Sequence, residues 1–454
     1  MLIMPMACNS LVDDVVISKD ASGNVVALNR ECHEICENSP TACIQEAIDY
    51  VKDGQSVITI GDANTLNVNA KIRIPSNKAR LRLRLGEVRC NTGDESCLFI
   101  DGFAHDVYIQ SLLNVGDSKI GLEITGSNHR VYVGFIGLEN APHNKEGKPW
   151  MFMDKAIYVH PPFDRDGYAG FLNVEVGSIH CGYRDQDKGV NVAVCKGIVV
   201  EGNDLRGFSI EGSVFTVRGS IRLARRGLEL GNSVFWDRFF LDIDPDLALN
   251  SDYLIYFADG KYDCCTSPIR KQQPYRTQYE GAAFNTVDLY GWTPANTRKT
   301  IYFGEHTLGN RITAAAIVDA STIEFKDEFR NFIVNQGTII QGSLTGSGVA
   351  LMNGELHLWG REPALSLSGS SLMNPGTETS IRYVDKSISL SLNNVKFISI
   401  SSNGIESIGI PVMQHCPGLS DEGKFNGQLL SCYDDSMKKW RLVMWIDSRW
   451  VYLT

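Results

Sequence analysis

Apolar and polar residues alternate in short runs along most of this 454-residue chain. Ile72 and Ile74 alternate with Lys71 and Arg73, and Leu81, Leu83 and Leu85 alternate with Arg80, Arg82 and Arg84. A two-residue period sends successive side chains to opposite faces of a strand, so these runs predict β-strands with one buried and one wet face. Val57 to Ile60 predicts a further apolar strand. Turn residues such as Pro75-Ser76-Asn77 and Gly86 separate the runs. One segment has a different period. Ile44, Ala47, Ile48 and Val51 recur at helical spacing, with Ser39 placed to cap, Pro40 at the first helical position and Gly54 past the end. This predicts one short amphipathic helix that must lie on an apolar surface.

A phrase of glycine, apolar, any, apolar and a nearby glycine then recurs. It reads Gly121-Leu122-Glu123-Ile124-Thr125-Gly126, Gly197-Ile198-Val199-Val200-Glu201-Gly202 and Gly227-Leu228-Glu229-Leu230-Gly231, with a looser copy at Ala156-Ile157-Tyr158-Val159. Each copy is followed by a polar turn and another strand, at Val131-Tyr132-Val133, Phe208-Ser209-Ile210 and Phe239 to Ile243. Spacing alone also suits a β-sandwich. Repetition of one strand–turn–strand unit favours a stacked array, in which each rung covers the open edge of its neighbour.

The run from Ala42 to Leu85 and the Gly-apolar phrases resemble the pectate-lyase-like right-handed β-helix superfamily, over residues 39–345. The resemblance implies an all-β chain, a right-handed parallel β-helix with an N-terminal cap helix. That superfamily holds polysaccharide lyases, glycosidases, and bacteriophage tailspikes and tail fibres. The resemblance therefore speaks to fold and leaves activity open. Residues 260–300, with Tyr262, Tyr275, Tyr279, Tyr290 and Trp292 among Arg270, Lys271 and Arg276, predict a long excursion from one rung.

The flanks differ from the body. Residues 1–38 show no sustained period and suggest an attachment arm and linker. Over residues 346–410 serine alternates with apolar residues, as in Leu365-Ser366-Leu367-Ser368 and Ser387-Ile388-Ser389-Leu390-Ser391-Leu392, which suggests a β stem shared between subunits. Residues 411–454 predict a small β module with strands at Gln428 to Tyr433, Trp440 to Ile446 and Trp450 to Leu453, similar to the Trp-rich endings of phage tail fibres.

Composition narrows the function. A net charge of −10 argues against a nucleic-acid groove, and no apolar run is long enough to span a bilayer. The apolar start, Met1 to Ser10, lacks the positive region of a signal peptide. With no export signal and no tight CxxC spacing, the twelve cysteines are expected to be mostly reduced and buried.

Candidate chemistry follows from the phrase. Its middle residue faces outward, which puts Glu123, Val199 and Glu229 in equivalent outer places. Asp242 and Asp244 alternate with Leu241 and Ile243 and also point out, and Asp237 lies in the preceding turn. Glu229 with Asp237, Asp242 or Asp244 would supply the carboxylate pair of a glycosidase. Solvated surface charge is the competing reading. Proline and the missing glycine in Asp242-Ile243-Asp244-Pro245-Asp246 speak against a calcium loop, and no metal or cofactor is expected. The turn-region aromatics Trp150, Phe163, Tyr183, Tyr262, Tyr275 and Trp292 are candidates for stacking on sugars, against a role in loop packing.

Two functions fit. The first is a homotrimeric phage tail fibre or tailspike, joined to other virion tail proteins by its N-terminal arm and binding host surface glycan, with assembly in the host cytoplasm. The alternative is a polysaccharide depolymerase, hydrolase or lyase, on the same scaffold. A secreted pectate-lyase-like enzyme is a third reading, weakened by the missing signal and the fibre-like end.

Overall fold

The computed structural model describes residues 13–138, 153–185, 188–244, 248–249, 251–264, 266–290, 300–314, 323–326, 331–335, 338–342, 348–352 and 355–359, and the C-terminal strands given below. The chain divides into two compact units, Met1–His357 and Leu358–Thr454. It is all-β with few helices and extensive parallel sheets.

In the first unit nine strands form one parallel sheet, running from Ile72–Ile74 through Ser96–Ile100, Ile120–Ile124, Lys155–Val159, Lys196–Val200, Arg226–Leu230, Tyr253–Phe257 and Ile301–Phe303 to Ile323–Phe325. The register aligns like with like. Leu98, Leu122, Ile157, Ile198, Leu228, Ile255 and Ile301 form one buried file. A second file ends in Phe257, Phe303 and Phe325, whose rings stack at 4.8 and 5.1 Å. Each such side chain contributes about 1.5–3 kcal/mol by burial.

A second parallel ladder includes Arg82–Cys90, Asp106–Asn114, Arg130–Leu138, Asn173–His180, Val214–Val217, Arg238–Leu241, Thr286–Leu289 and Arg311–Ala314. It buries Val107, Val131, Val174, Phe215, Phe239, Val287 and Ile312 in register. Between the two sheets the chain crosses a narrow row of two-residue strands, Ala169–Gly170, Ile210–Glu211 and Val234–Phe235. The chain visits the three rows in the same order each time and returns one strand further along.

Between the narrow row and the second ladder each rung turns sharply, at a residue with positive φ: Arg80, Ala104, Asn128, Phe171, Gly212, Trp236, Phe284 and Gly309. After seven of these turns the next N–H points at a side chain of the following rung. Leu81 donates to His105 Nδ1 at 3.1 Å and His105 to His129 Nδ1 at 3.2 Å. Leu172 donates to Ser213 Oγ at 3.3 Å, Ser213 to Asp237 Oδ1 at 2.6 Å and Asp237 to Asn285 Oδ1 at 3.0 Å. Asn285 donates to Asn310 Oδ1 at 3.1 Å and Asn310 to Asn331 Oδ1 at 2.8 Å. The asparagine amides also reach back to backbone carbonyls, Asn285 to Val234 and Asn310 to Ala282. The column is a buried file of side-chain acceptors standing in for ladder carbonyls.

Several sequence expectations change here. The helix runs Ile44–Tyr50 and buries Ile44, Ala47 and Ile48, but it starts later than Ser39 and Pro40 imply. Ser39 Oγ instead accepts from the Cys43 N–H at 2.8 Å, holding the turn before the helix. Residues 15–37 are not an unstructured linker. Val15–Lys19, Val25–Asn29 and Glu34–Glu37 pair antiparallel, and Val15–Lys19 also lies parallel to Ser56–Thr59, closing an edge that would otherwise stay open. The 260–300 excursion contains the helix Pro268–Gln272. It ends sooner than expected, since Ala283 bridges Phe235 and Thr286–Leu289 is already a ladder strand.

The cysteines differ from expectation as well. Cys36–Cys43, Cys90–Cys97 and Cys181–Cys195 are disulfides. Each joins residues that a turn or hairpin brings together, which sequence spacing alone does not reveal.

In the second unit, Ala364–Ser368, Glu378–Val384, Ser387–Leu392, Val395–Ser401 and Gly404–Ile408 form a five-stranded antiparallel meander. Ser366 stands opposite Ser380, and Ser380 opposite Ser391. Leu429–Asp434, Lys439–Ile446 and Arg449–Tyr452 form the expected terminal strands, joined by Val412–Met413. Asp434 Oδ1 accepts from the Ser436 and Met437 N–H groups at 3.0 and 3.1 Å, which fixes the first turn.

The column predicts a pH effect. Burial pushes the Asp237 carboxyl up to about 8, because its charged form has no water around it. Folded Asp237 therefore keeps a proton that the unfolded chain has already released, and stability falls as pH rises from about 4 to about 8. Asp237→Asn supplies a permanently neutral acceptor of the same shape as its neighbours Asn285 and Asn310. The variant should unfold several degrees higher at pH 8, with a smaller gain at pH 5, as read by thermal melts. A lower midpoint at pH 8 would show that Asp237 does not behave as a neutral member of the column.

Candidate functional site

The repeated phrase lands as read. Glu123, Tyr158, Val199 and Glu229 occupy matching positions on adjacent strands of the nine-stranded sheet, on the side opposite the apolar files. The site they make is closed, however. Glu229 is only 9 % exposed, and Lys196 Nζ lies 2.8 Å and Arg226 Nη1 2.9 Å from its carboxylate. Glu123 accepts from Ser96 Oγ at 2.6 Å, pairs with Lys71 at 3.2 Å and lies 3.0 Å from His160 Nε2. Burial works to raise the Glu123 pKa, but His160, Ser96 and Lys71 together outweigh it and hold the carboxyl down at about 2.

The other proposed carboxylates stand elsewhere. Asp237 is fully buried in the corner column, so it is a structural acceptor and not an outer-face acid. Asp242 and Asp244 flank Ile243, which bridges Ile221 beyond the end of the second ladder. Burial and the Asp244 charge raise the Asp242 pKa, while Asp244 pairs with Arg222 at 3.6 Å. Glu229, Asp237 and Asp242 thus belong to the nine-stranded sheet, the corner and the segment just past the second-ladder strand Arg238–Leu241 respectively. The sequence order that puts them close in the chain is undone because a single rung crosses all three rows.

The aromatics divide too. Trp150 and Trp292 lie outside the described residues. Tyr183 sits in the hairpin of Gly182–Asp185 with Val190–Ala193, opposite Val192 and beside the Cys181–Cys195 disulfide. Tyr275 is 75 % exposed and Phe163 is 47 % exposed. These two come from loops that the structure ties together.

Two arginines make the tie. Arg206 donates from Nε to the Phe163 carbonyl at 2.9 Å, from Nη2 to the Asp164 carbonyl at 3.1 Å and from Nη1 to Asp166 Oδ1 at 3.1 Å. Arg276 Nη2 donates to Asp166 Oδ2 at 3.1 Å, and its Nη1 donates to the Arg206 carbonyl. Thr277 N–H reaches the Gly207 carbonyl at 2.7 Å, and Asn203 Nδ2 the Pro162 carbonyl at 2.7 Å. Both arginines bind Asp166, one at each oxygen. Charge-assisted bonds of this kind are about twice as strong as neutral ones. Residues 160–168, 203–208 and 275–277 therefore form one cross-linked loop cluster. Sequence reasoning singled out Phe163 and Tyr275 and placed Arg276 in a basic excursion, but it did not single out Asp166 or Arg206, and the partnership of the three joins positions 40 and 110 residues apart.

Beneath this cluster the Phe163 ring stacks on His160 at 4.2 Å, and Tyr158 lies tilted against the same imidazole at 4.5 Å. Tyr158 Oη donates to Glu201, and Lys155 Nζ sits 3.3 Å from the Tyr158 ring centre. Nearby, Asn232 Nδ2 donates to Asp204 Oδ2 at 2.9 Å. Burial raises the Asp204 pKa, and the negative charge of Glu201 adds to that shift. The site thus combines exposed rings, a Glu201 side chain bonded by Tyr158 and an Asp204 carboxyl displaced toward its neutral form.

No family model and no curated protein matches the sequence. Among solved structures, ORF18 of Geobacillus virus E2 is similar over 91 % of this chain and 83 % of its own, at 11 % identity and a TM-score of 0.33. A likeness that distant carries no argument here. No helix among the described residues is long and apolar enough to cross a membrane.

Proposed function

We propose that the first unit is a right-handed parallel β-helix and that the chain is a bacteriophage tailspike or tail-fibre subunit that binds host surface glycan through the loop cluster. The constant order of the three strand rows supports the helix, and the strong preference of parallel crossovers for the right hand supports its sense. One observation carries the glycan reading: the rings of Phe163 and Tyr275 stand exposed on loops locked by Arg206, Arg276 and Asp166. Flat rings on a pre-organised platform suit sugar faces, because little ordering entropy is lost on binding. The serine-matched meander and the Trp-containing terminal strands support a stem and tip shared by three copies, with residues 1–38 serving attachment to the virion.

Binding to immobilised bacterial capsular and O-antigen polysaccharides checks the reading. Phe163→Ala with Tyr275→Ala should weaken binding on the order of tenfold, the equivalent of about 1.4 kcal/mol. Unchanged affinity would sink the site. Light scattering at micromolar concentration should return three times the 50.3 kDa chain mass, and a monomer would overturn the shared stem.

Depolymerase activity is a second reading, favoured by the environment of Asp204. Burial holds this carboxyl toward its neutral form, which suits the general acid in acid–base cleavage of a glycosidic bond. If that reading holds, the polysaccharide that binds will release reducing ends or unsaturated sugars, and Asp204→Asn will abolish the release while leaving binding in place. Binding without release leaves a pure adhesin.

A further inference from the structure

We propose that the corner of the stack is a second binding strip for an acidic polysaccharide, built from Phe171, Trp236 and Phe284. These residues fill the positive-φ position of their rungs, with φ of 53°, 57° and 60°. Bulky L residues enter that region only against a steric penalty, and Gly212 and Gly309 show that the same corner accepts glycine. Burial does not offset the penalty, because the three side chains are 55 %, 52 % and 41 % exposed. Backbone strain kept at exposed aromatic positions points to a use for the rings.

The rings form a file along the stack. Trp236 and Phe284 lie nearly parallel, with centroids 6.1 Å apart and planes at 9°. A Cβ on Gly212 would come within 3.0 Å of Phe171 Cε1, and one on Gly309 within 2.7 Å of Phe284 Cδ1. Phe171 and Phe284 therefore each lie over the glycine of the next rung, while Trp236 stacks on Phe284. Rungs repeat at about 4.8 Å, so Phe171 and Trp236, two rungs apart, are separated by about 10 Å along the stack. Two residues beyond the corner, Asn173, Arg238 and Arg311 are exposed in one file, with Val214 and Thr286 between them, and Arg82, Asp106 and Arg130 continue it toward the N-terminal rungs.

The occupant follows from shape and charge. Three half-exposed rings of about 150–250 Å² each fall well short of the ~800 Å² per partner of a standard protein interface. A single-file strip suits a linear chain with repeated flat apolar faces, which is a glycan. The adjoining arginines, on a protein of net charge −10, suit carboxylate or sulfate groups on that glycan. This strip lies outside the Arg-locked loops. It rests on the reading that the protein binds polysaccharide, but not on the particular site proposed for Phe163 and Tyr275.

The test uses the full chain against an array of acidic and neutral bacterial polysaccharides. The triple variant Phe171→Gly, Trp236→Gly and Phe284→Gly keeps a residue type the corner already accepts, so its melting midpoint should be unchanged or raised. Its affinity for an acidic polysaccharide should fall at least tenfold. Arg238→Gln with Arg311→Gln should weaken the same binding and flatten its dependence on salt. Wild-type binding to no polysaccharide would remove the glycan reading itself and this strip with it. Three results would overturn the strip alone: wild-type affinity in the triple variant, binding confined to neutral polysaccharides, or loss of self-association in the variant with glycan affinity intact.

Discussion

Seven rungs among the described residues of the first unit satisfy one awkward N–H, the group that follows the sharp corner, in the same way. The backbone has just turned through a positive-φ residue, so the carbonyl that would accept it in a regular ladder is out of line. A side chain from the next rung takes the carbonyl's place, whether it is His105, His129, Ser213, Asp237, Asn285, Asn310 or Asn331. A buried N–H left unmet costs about 1–3 kcal/mol. Seven such bonds among the described residues add up to a sum comparable with the whole stability of an ordinary domain. The apolar files supply the bulk of the attraction, and the corner column decides the register in which they meet.

The column also explains where exposed chemistry can sit. Corner side chains just before it must point outward, because the acceptors occupy the interior. The loops between the nine-stranded sheet and the corner lie outside the column, so they can lengthen without disturbing it. The loop cluster grows from such segments. Arg206 and Arg276 then restore to those loops the order that the ladders give the strands.

Much of the scaffold was legible in the sequence. The Gly-apolar-any-apolar phrases fell into mutual register, so that Glu123, Tyr158, Val199 and Glu229 stand on one side of one sheet. Period-2 alternation carries that information locally. The terminal strands were legible for the same reason. The candidate chemistry was less so. Glu229 reads as a surface acid, because nothing near it in sequence shows that Lys196, one rung away, will meet it. Asp237 reads as a loop residue, because its role depends on Ser213 and Asn285, 24 and 48 residues distant. Helix spacing located Ile44, Ala47 and Ile48, but the cap assignment failed once Ser39 bonded the turn at Cys43.

The corner bonds also measure the chain's stride. Successive acceptors are 24, 24, 41, 24, 48, 25 and 21 residues beyond the donors they serve. The shorter strides, near two dozen residues, are close to the least chain that can make one circuit. The longer ones carry the surplus that becomes surface. A lineage built on this plan can exchange whole loops between strides while the strand pairings stay as they are. The short strides still differ by a few residues, and the turns absorb the difference; a residue lost inside a strand would reverse the facing of the side chains after it as far as the next turn.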